Sequence, residues 1–297
     1  MYSDGIFPTV NQTAHQSVLQ AKGLRKVYGS RVAVDGIGFS FEEGEFIGFL
    51  GPNGAGKTTT IKMLTGLVKP TGGEITYFGK DFFANPRFAK RIIGAVPQQN
   101  NLDRDLTAYE NLKLHAILYG MDRSGMSEKI GEMLTFAGLT NYRDMQVKTF
   151  SGGTMRRLVI ARALLHEPGI LFLDEPTVGL DPQIRRSIWE FIVKVNNLRN
   201  TTIILTTHYI EEAERLCRRV LIINDGKIIA EGRPDEMKKE IGQYVLEIYM
   251  EEGINERFFE SREDAVIALR DSRYPCKVRE VTLEDVFLKI TGRRINV

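Results

Sequence analysis

Gly51-Pro52-Asn53-Gly54-Ala55-Gly56-Lys57-Thr58 follows the apolar run Phe46-Ile47-Gly48-Phe49-Leu50 and precedes the helix-like Thr59-Thr60-Ile61-Lys62-Met63-Leu64. A strand, this loop and a helix in that order form the setting in which G-x-x-x-x-G-K-[ST] grips a phosphate chain. Gly54 and Gly56 permit torsions and close approaches that a Cβ obstructs. The freed N–H groups and the following helix N-terminus aim positive potential at phosphate. Lys57 supplies a compact charge for the terminal phosphates, and the Thr58 hydroxyl suits a Mg²⁺ shell. The alternative, a glycine-rich surface turn, does not require the lysine, the threonine and both flanking elements together. The stretch predicts a nucleotide site on an α/β scaffold.

The rest of the composition sets the frame. The chain has 297 residues, 42% hydrophobic and 26% charged, which suits one large α/β domain with a smaller appendage. Forty basic against 38 acidic residues leave a formal +2, so charge gives no case for a nucleic-acid partner. Cys217 and Cys276 are far apart in sequence and form no C-x-x-C, as in a reduced cytosolic protein with two inert thiols; a disulfide is the lesser alternative. No stretch approaches about 18 uninterrupted apolar residues, so no membrane span is predicted. Residues 1–17 lack a basic and an apolar region, which speaks against a signal peptide, and they read as a loose polar tail.

In chain order, Val18 to Tyr28 has the pattern of a half-exposed strand, and a turn at Gly29-Ser30 leads to the strand-like pieces Val32-Ala33-Val34 and Gly38-Phe39-Ser40-Phe41. Tyr28 either stacks on an adenine ring or is a plain hairpin tyrosine. Phe83 to Lys90 is polar and turn-rich, and Ile92 to Pro97 is strand-like. Gln98 then stands at a strand end, either reaching Mg²⁺ or a nucleophilic water through its carbonyl oxygen or remaining a solvated loop residue. Thr107 to Glu167 is helical in pattern and ends in Phe150-Ser151-Gly152-Gly153-Thr154 before an amphipathic helix. Ser151 with two glycines is an N-cap with open N–H groups, a second anion nest or simply a cap. Ile170-Leu171-Phe172-Leu173-Asp174-Glu175 is an unbroken apolar run of the kind found in buried parallel strands, ending in two carboxylates. Carboxylates there sit where open α/β sheets bind ligands: Asp174 suits Mg²⁺, and Glu175 can take a proton from an attacking water. Asp181 and Pro182 open the next helix, and Thr202 to His208 is a further buried strand with a histidine at its end.

In this order the motifs resemble those of the ATP-binding cassette (ABC) ATPases, the nucleotide-binding subunits of ABC transporters. The resemblance spans about residues 18–237. It implies a P-loop NTPase fold: a RecA-like core, an antiparallel β subdomain and a helical subdomain over about residues 100–168. Residues 238–297 would form a small α+β appendage with a regulatory, dimerising or merely packing role. By the same resemblance Gly51, Pro52, Asn53, Gly54, Ala55, Gly56, Lys57 and Thr58, with Thr59, form the Walker A loop around ATP, and Tyr28 is the adenine platform. Gln98 is the Q-loop glutamine, and Ser151, Gly152 and Gly153 form the signature motif. Asp174 closes Walker B, Glu175 is the catalytic glutamate, Asp181 the D-loop aspartate and His208 the switch histidine. The implied catalytic set is Glu175, His208, Lys57 and Gln98, and the implied Mg²⁺ set is Thr58, Gln98 and Asp174. Two departures stand out: Phe-Ser-Gly-Gly-Thr for the common Leu-Ser-Gly-Gly-Gln, and Val-Gly-Leu-Asp for Ser-Ala-Leu-Asp.

Leu205 to Cys217 and Val281 to Phe287 are most similar to the ATPases of ABC-2-type exporters of drugs, nodulation factors and polysaccharides. The implied arrangement is a head-to-tail pair of cassettes, in the simplest case a homodimer, each signature capping the partner's ATP. The pair would drive a separate polytopic permease from the cytoplasmic face of the membrane, gripping it through about residues 98–119. The rival is a soluble ABC ATPase acting on DNA or ribosomes. Those proteins carry long inserted coiled coils or two linked cassettes, and this sequence has neither.

Overall fold

The computed structural model describes residues 17–292, so most of the N-terminal tail lies outside the described residues. Two long strands come first, β1 (Ser17–Tyr28) and β2 (Arg31–Glu42), followed by the short, wholly buried β3 (Phe46–Leu50) and helix α1 (Lys57–Leu64). β4 (Gly72–Tyr77) and β5 (Lys80–Asp81) complete an antiparallel sheet in the order β2-β1-β4-β5. The two strand-like pieces at residues 32–34 and 38–41 are one continuous strand, β2. Its register against β1 shifts repeatedly, and this irregularity absorbs Gly36, whose φ is 68°. The turn-rich 83–90 stretch also differs from expectation, because Pro86 at a first-turn position opens helix α2 (Pro86–Ile92). Only Ala89 of that helix is buried, so no apolar stripe announces it.

β6 (Ile93–Val96) enters the main sheet, and α3 (Ala108–Leu118), α4 (Met126–Phe136) and α5 (Gly152–Leu164) form the helical layer between it and β7 (Ile170–Asp174). A Thr107–Glu110 capping box fixes the start of α3, and the Ser151 hydroxyl caps α5. Then come α6 (Pro182–Arg199), β8 (Thr202–Thr207), α7 (Ile210–Leu216), β9 (Arg219–Asn224) and β10 (Lys227–Gly232). The main sheet runs β10-β9-β3-β8-β7-β6, with all neighbours parallel except the terminal β9–β10 hairpin. β3, β7 and β8 are buried along their whole length, as strands covered on both faces are, with β8 carrying three buried threonines among its residues.

α8 (Pro234–Lys239) leads to a small sheet ordered β12-β11-β13, from β11 (Tyr244–Met250), β12 (Gly253–Phe259) and β13 (Cys276–Glu280), with α9 (Arg262–Arg270) against it. The last helix, α10 (Leu283–Thr291), packs back on α7 and α8 and places Leu283, Val286 and Phe287 in the same apolar core as Ala213 and Met237. Both cysteines are free, and burial pushes the Cys217 thiol well up from its ordinary value.

Candidate nucleotide site

The loop from Gly51 to Thr58 crosses the C-terminal end of β3, the position where an open α/β sheet takes its ligands. Gly56 has φ 110°, and a Cβ there would lie 2.6 Å from the Ala33 carbonyl oxygen, so the position admits only glycine without a shift of backbone. The Ala55 carbonyl accepts from Gly226 N at 3.0 Å, bracing the loop on the β9–β10 hairpin. Lys57 is 4% exposed, and its Nζ donates to the carbonyls of Gly51 at 2.8 Å and Pro52 at 3.1 Å. Burial pushes its ammonium down from the ordinary value, while Glu175 and Asp174 pull it up.

The carboxylate pair at the end of β7 meets this loop from the side. Asp174 Oδ1 accepts from Thr58 Oγ1 at 3.0 Å and from Thr206 Oγ1 of β8 at 2.6 Å. Glu175 sits at φ 45°, an unfavourable left-handed conformation for a glutamate, and its N–H is held by the carbonyl and hydroxyl oxygens of Thr206, each at 3.1 Å. This turns its side chain into the centre of the site. Oε1 lies 3.4 Å from Lys57 Nζ and 3.3 Å from His208 Nδ1, and Oε2 accepts from Gln98 Nε2 at 3.2 Å. The His208 contact has ion-pair distance without hydrogen-bond alignment. Residues from three other segments thus converge on one buried carboxylate.

Above them opens a cleft of about 440 Å³, lined by Tyr28, Asn53, Gly54, Gly56, Lys57, Thr58, Thr59, Gln98 and Glu175 among the predicted residues. Gly51, Pro52, Asp174 and His208 do not line it but contact the lining residues Lys57, Thr58 and Glu175, and Ala55 braces the loop on Gly226. Tyr28 is 46% exposed and lines the cleft, with Lys26 Nζ 5.0 Å from its ring centroid. Ser151, Gly152, Gly153 and Asp181 do not line this cleft. Ser151 and Gly152 are exposed, and Asp181 caps α6 through Ile184 N at 3.0 Å.

Three contributors were not apparent from the sequence. Arg31 pairs across the hairpin with Tyr28 and lines the cleft, and its place directly opposite an expected adenine platform was the signal available. Thr206 anchors both carboxylate residues. Arg156, 3% exposed and one turn beyond Gly153, donates to the carbonyls of Pro97, Gln98, Asp174 and Pro176, tying the signature helix to both strand ends. Burial lowers its guanidinium to about 10. An arginine inside an amphipathic helix carries no sequence mark of such a role.

A buried lysine over a glycine loop, a Thr–Asp pair and a carboxylate gathered by glutamine, lysine and histidine define a phosphate-handling site on a nucleotide-binding fold. The ABC transporter family profile matches residues 34–178. Nod factor export ATP-binding protein I of Cupriavidus metallidurans is 41% identical over 94% of this chain and 99% of its own length. Its counterpart in Ralstonia nicotianae is 38% identical over 94% and 95%. Among solved structures, a subunit of the Clostridium perfringens ABC transporter complex cbiONQ superposes with TM-score 0.69 at 28% identity, covering 75% of this chain and 90% of that one. A dimeric ATP-binding cassette in a post-hydrolysis state bound to ADP and Pi gives TM-score 0.65 at 30% identity, covering 72% and 98%. This chain belongs to the ATP-binding proteins of ABC transporters, and it is an ATPase.

Proposed function

We propose that the chain is the ATP-hydrolysing subunit of a membrane exporter and that it works as a homodimer with two shared ATP sites. The observation that carries the catalytic part is the convergence of Lys57, Gln98 and His208 on Glu175 at one wall of the cleft. Glu175 takes the proton of an attacking water, while Lys57 and His208 offset charge developing on the γ-phosphate. Tyr28 stacks on adenine, Asn53 to Thr59 wrap the phosphates, and Gln98 relays position to Glu175. The donor set fits Mg²⁺: hydroxyl, carboxylate and amide oxygens are the hard ligands that cation takes. Thr58 and Asp174 already share a 3.0 Å contact, and Gln98 lines the same cleft as Thr58. When bound, Mg²⁺ supplies Lewis-acid stabilisation of phosphate charge.

Two observations support the shared site. The Ser151-Gly152-Gly153 nest and Asp181 lie outside the chain's own cleft, and a structural relative is a dimeric cassette. The nest then completes the site of a second copy. Export rests on relatives named as export ATP-binding proteins. No helix among the described residues is long and apolar enough to cross a membrane, so the reading calls for a separate permease and a peripheral place on the inner membrane face. Leu114, Ile117 and Leu118 of α3 expose 45%, 52% and 75% of their surface and offer that permease an apolar contact.

The test is affinity purification of the full-length chain from detergent-solubilised host membranes. The proposal expects a stoichiometric polytopic membrane protein whose presence changes the ATPase rate. Recovery only in the soluble fraction, with ribosomal or DNA-bound proteins, would overturn the export reading and leave the ATPase standing.

A further inference from the structure

Glu212 has no exposed surface, yet it carries a carboxyl in the first turns of the seven-residue α7. Its Oε1 accepts from Thr177 Oγ1 and from Trp189 Nε1 of α6, both at 2.8 Å. Placing such a group in the interior costs stability that a well-packed apolar side chain avoids, so its position calls for a reason beyond packing. That position is specific. Thr177 follows Glu175 by two residues on the way to Asp181, and Glu212 lies in α7, which begins two residues after His208. A second tie runs beside it: the Arg185 guanidinium of α6 lies 4.0 Å from the Tyr209 ring centroid, and that ring is 4.3 Å from His208. The His208 turn is also closed by Tyr209 N donating to Thr207 Oγ1 at 2.9 Å. The histidine turn and the segment after β7 are therefore joined by contacts separate from the 3.3 Å contact between His208 and Glu175. Glu212 itself lines no part of the cleft.

We infer that Glu212 is a positioning residue for hydrolysis: through Thr177 it fixes the His208 turn against the segment that carries Glu175. The inference rests on the catalytic reading of Glu175 and His208 proposed above. Because the phosphate loop and Tyr28 do not depend on this tie, its loss slows turnover and leaves nucleotide binding in place. A displacement of about 1 Å at a reacting group is enough to cost up to about a hundredfold in rate.

The experiment is steady-state ATP hydrolysis by full-length Glu212→Ala, Glu212→Gln, Thr177→Val and the Thr177→Val/Glu212→Ala double variant, with circular dichroism melts alongside. Glu212→Ala and Thr177→Val are each expected to lower kcat by about tenfold or more while KM for ATP stays within about twofold. Glutamine keeps an acceptor for both donors, so Glu212→Gln should recover to within about threefold of the wild-type rate. The double variant should be no slower than the slower single one, as for two ends of one contact. The inference is overturned if Glu212→Ala hydrolyses at the wild-type rate, if Glu212→Gln is as slow as Glu212→Ala, or if the two single losses multiply. Should Glu212→Ala melt below the assay temperature, Thr177→Val decides, since it removes the bridge and leaves the Trp189 bond in place. A wild-type chain without any hydrolysis would instead overturn the catalytic reading itself.

Discussion

The loop at Gly51–Thr58 and the nest at Ser151–Gly153 are both glycine-bearing helix entries, and they behave oppositely. The loop is enclosed by its own chain: Lys57 is 4% exposed, Thr58 is bound to Asp174, and a Cβ at Gly56 would meet the Ala33 carbonyl. The nest lies outside that cleft, with Ser151 and Gly152 exposed and the Ser151 hydroxyl accepting from Thr154 N at 3.2 Å as a helix cap. Its rear is nevertheless firmly built. A Cβ on Gly153 would lie 2.5 Å from Ile184 Cγ2, so α5 and α6 approach closely there, and Arg156 joins the same helix to Gln98 and Asp174. Under the shared-site proposal, the loop holds the nucleotide of its own chain and the nest completes the site of a second copy.

The largest effect should come from the enclosed half. Glu175→Gln keeps the shape and removes the base, so phosphate release should fall by about a hundredfold or more while equilibrium binding of a fluorescent ATP analogue persists. Near-wild-type turnover would remove Glu175 from its assigned role. Next, Ser151→Ala weakens the open half alone. Loss of one hydrogen bond to a charged group, about 1.5–3 kcal/mol, should slow turnover by roughly tenfold or more without changing the affinity of the isolated chain for nucleotide. If affinity and rate fell together in dilute protein, the nest would belong to its own chain's cleft and the contrast would fail. Tyr28→Ala should weaken ATP binding several-fold, on the scale of about 1–3 kcal/mol for base stacking, and Tyr28→Phe should bind like wild type. Equal losses in both would replace stacking by a role for the hydroxyl.

The smallest effect concerns stability. Burial raises the Glu212 carboxyl above its ordinary 4.5, against the donors Thr207, Thr177 and Trp189. The folded chain therefore keeps a proton that the unfolded chain releases. That contribution is fully present below 4.5 and is lost as pH rises through the folded value. Urea unfolding over this range should show wild type losing stability relative to Glu212→Gln as pH rises, and parallel curves would contradict the assignment.

Much of this was legible in the sequence because the decisive constraints are local. The loop needs its glycines, lysine and threonine within eight consecutive residues, Asp174-Glu175 ends an unbroken apolar run, and His208 ends a strand rich in β-branched residues. What escaped depends on contacts between distant residues of ordinary type. Thr206 reaches Asp174 across adjoining strands, Arg156 grips carbonyls from two other segments, and Glu212 reads as a solvent-facing helix glutamate until its buried partners are seen. β12 and β13 carry half-exposed, charged residues that alternate weakly, so no apolar pattern announces them. Arg279 of β13 pairs instead with Glu247 of β11 at 2.5 Å and with Asp285 of α10 at 2.7 Å. Burial and the paired arginine act oppositely on Asp285, whose carboxyl ends below its ordinary value.

The central claim is that the loop of one chain and the nest of another enclose a shared ATP. Sedimentation velocity of full-length Glu175→Gln with ATP and Mg²⁺, with ADP, and with the added Ser151→Ala change tests it most directly. The account predicts a dimer with ATP, a monomer with ADP, and a return to monomer when Ser151 is removed. A monomer under all three conditions, with wild-type specific activity independent of protein concentration, would contradict it.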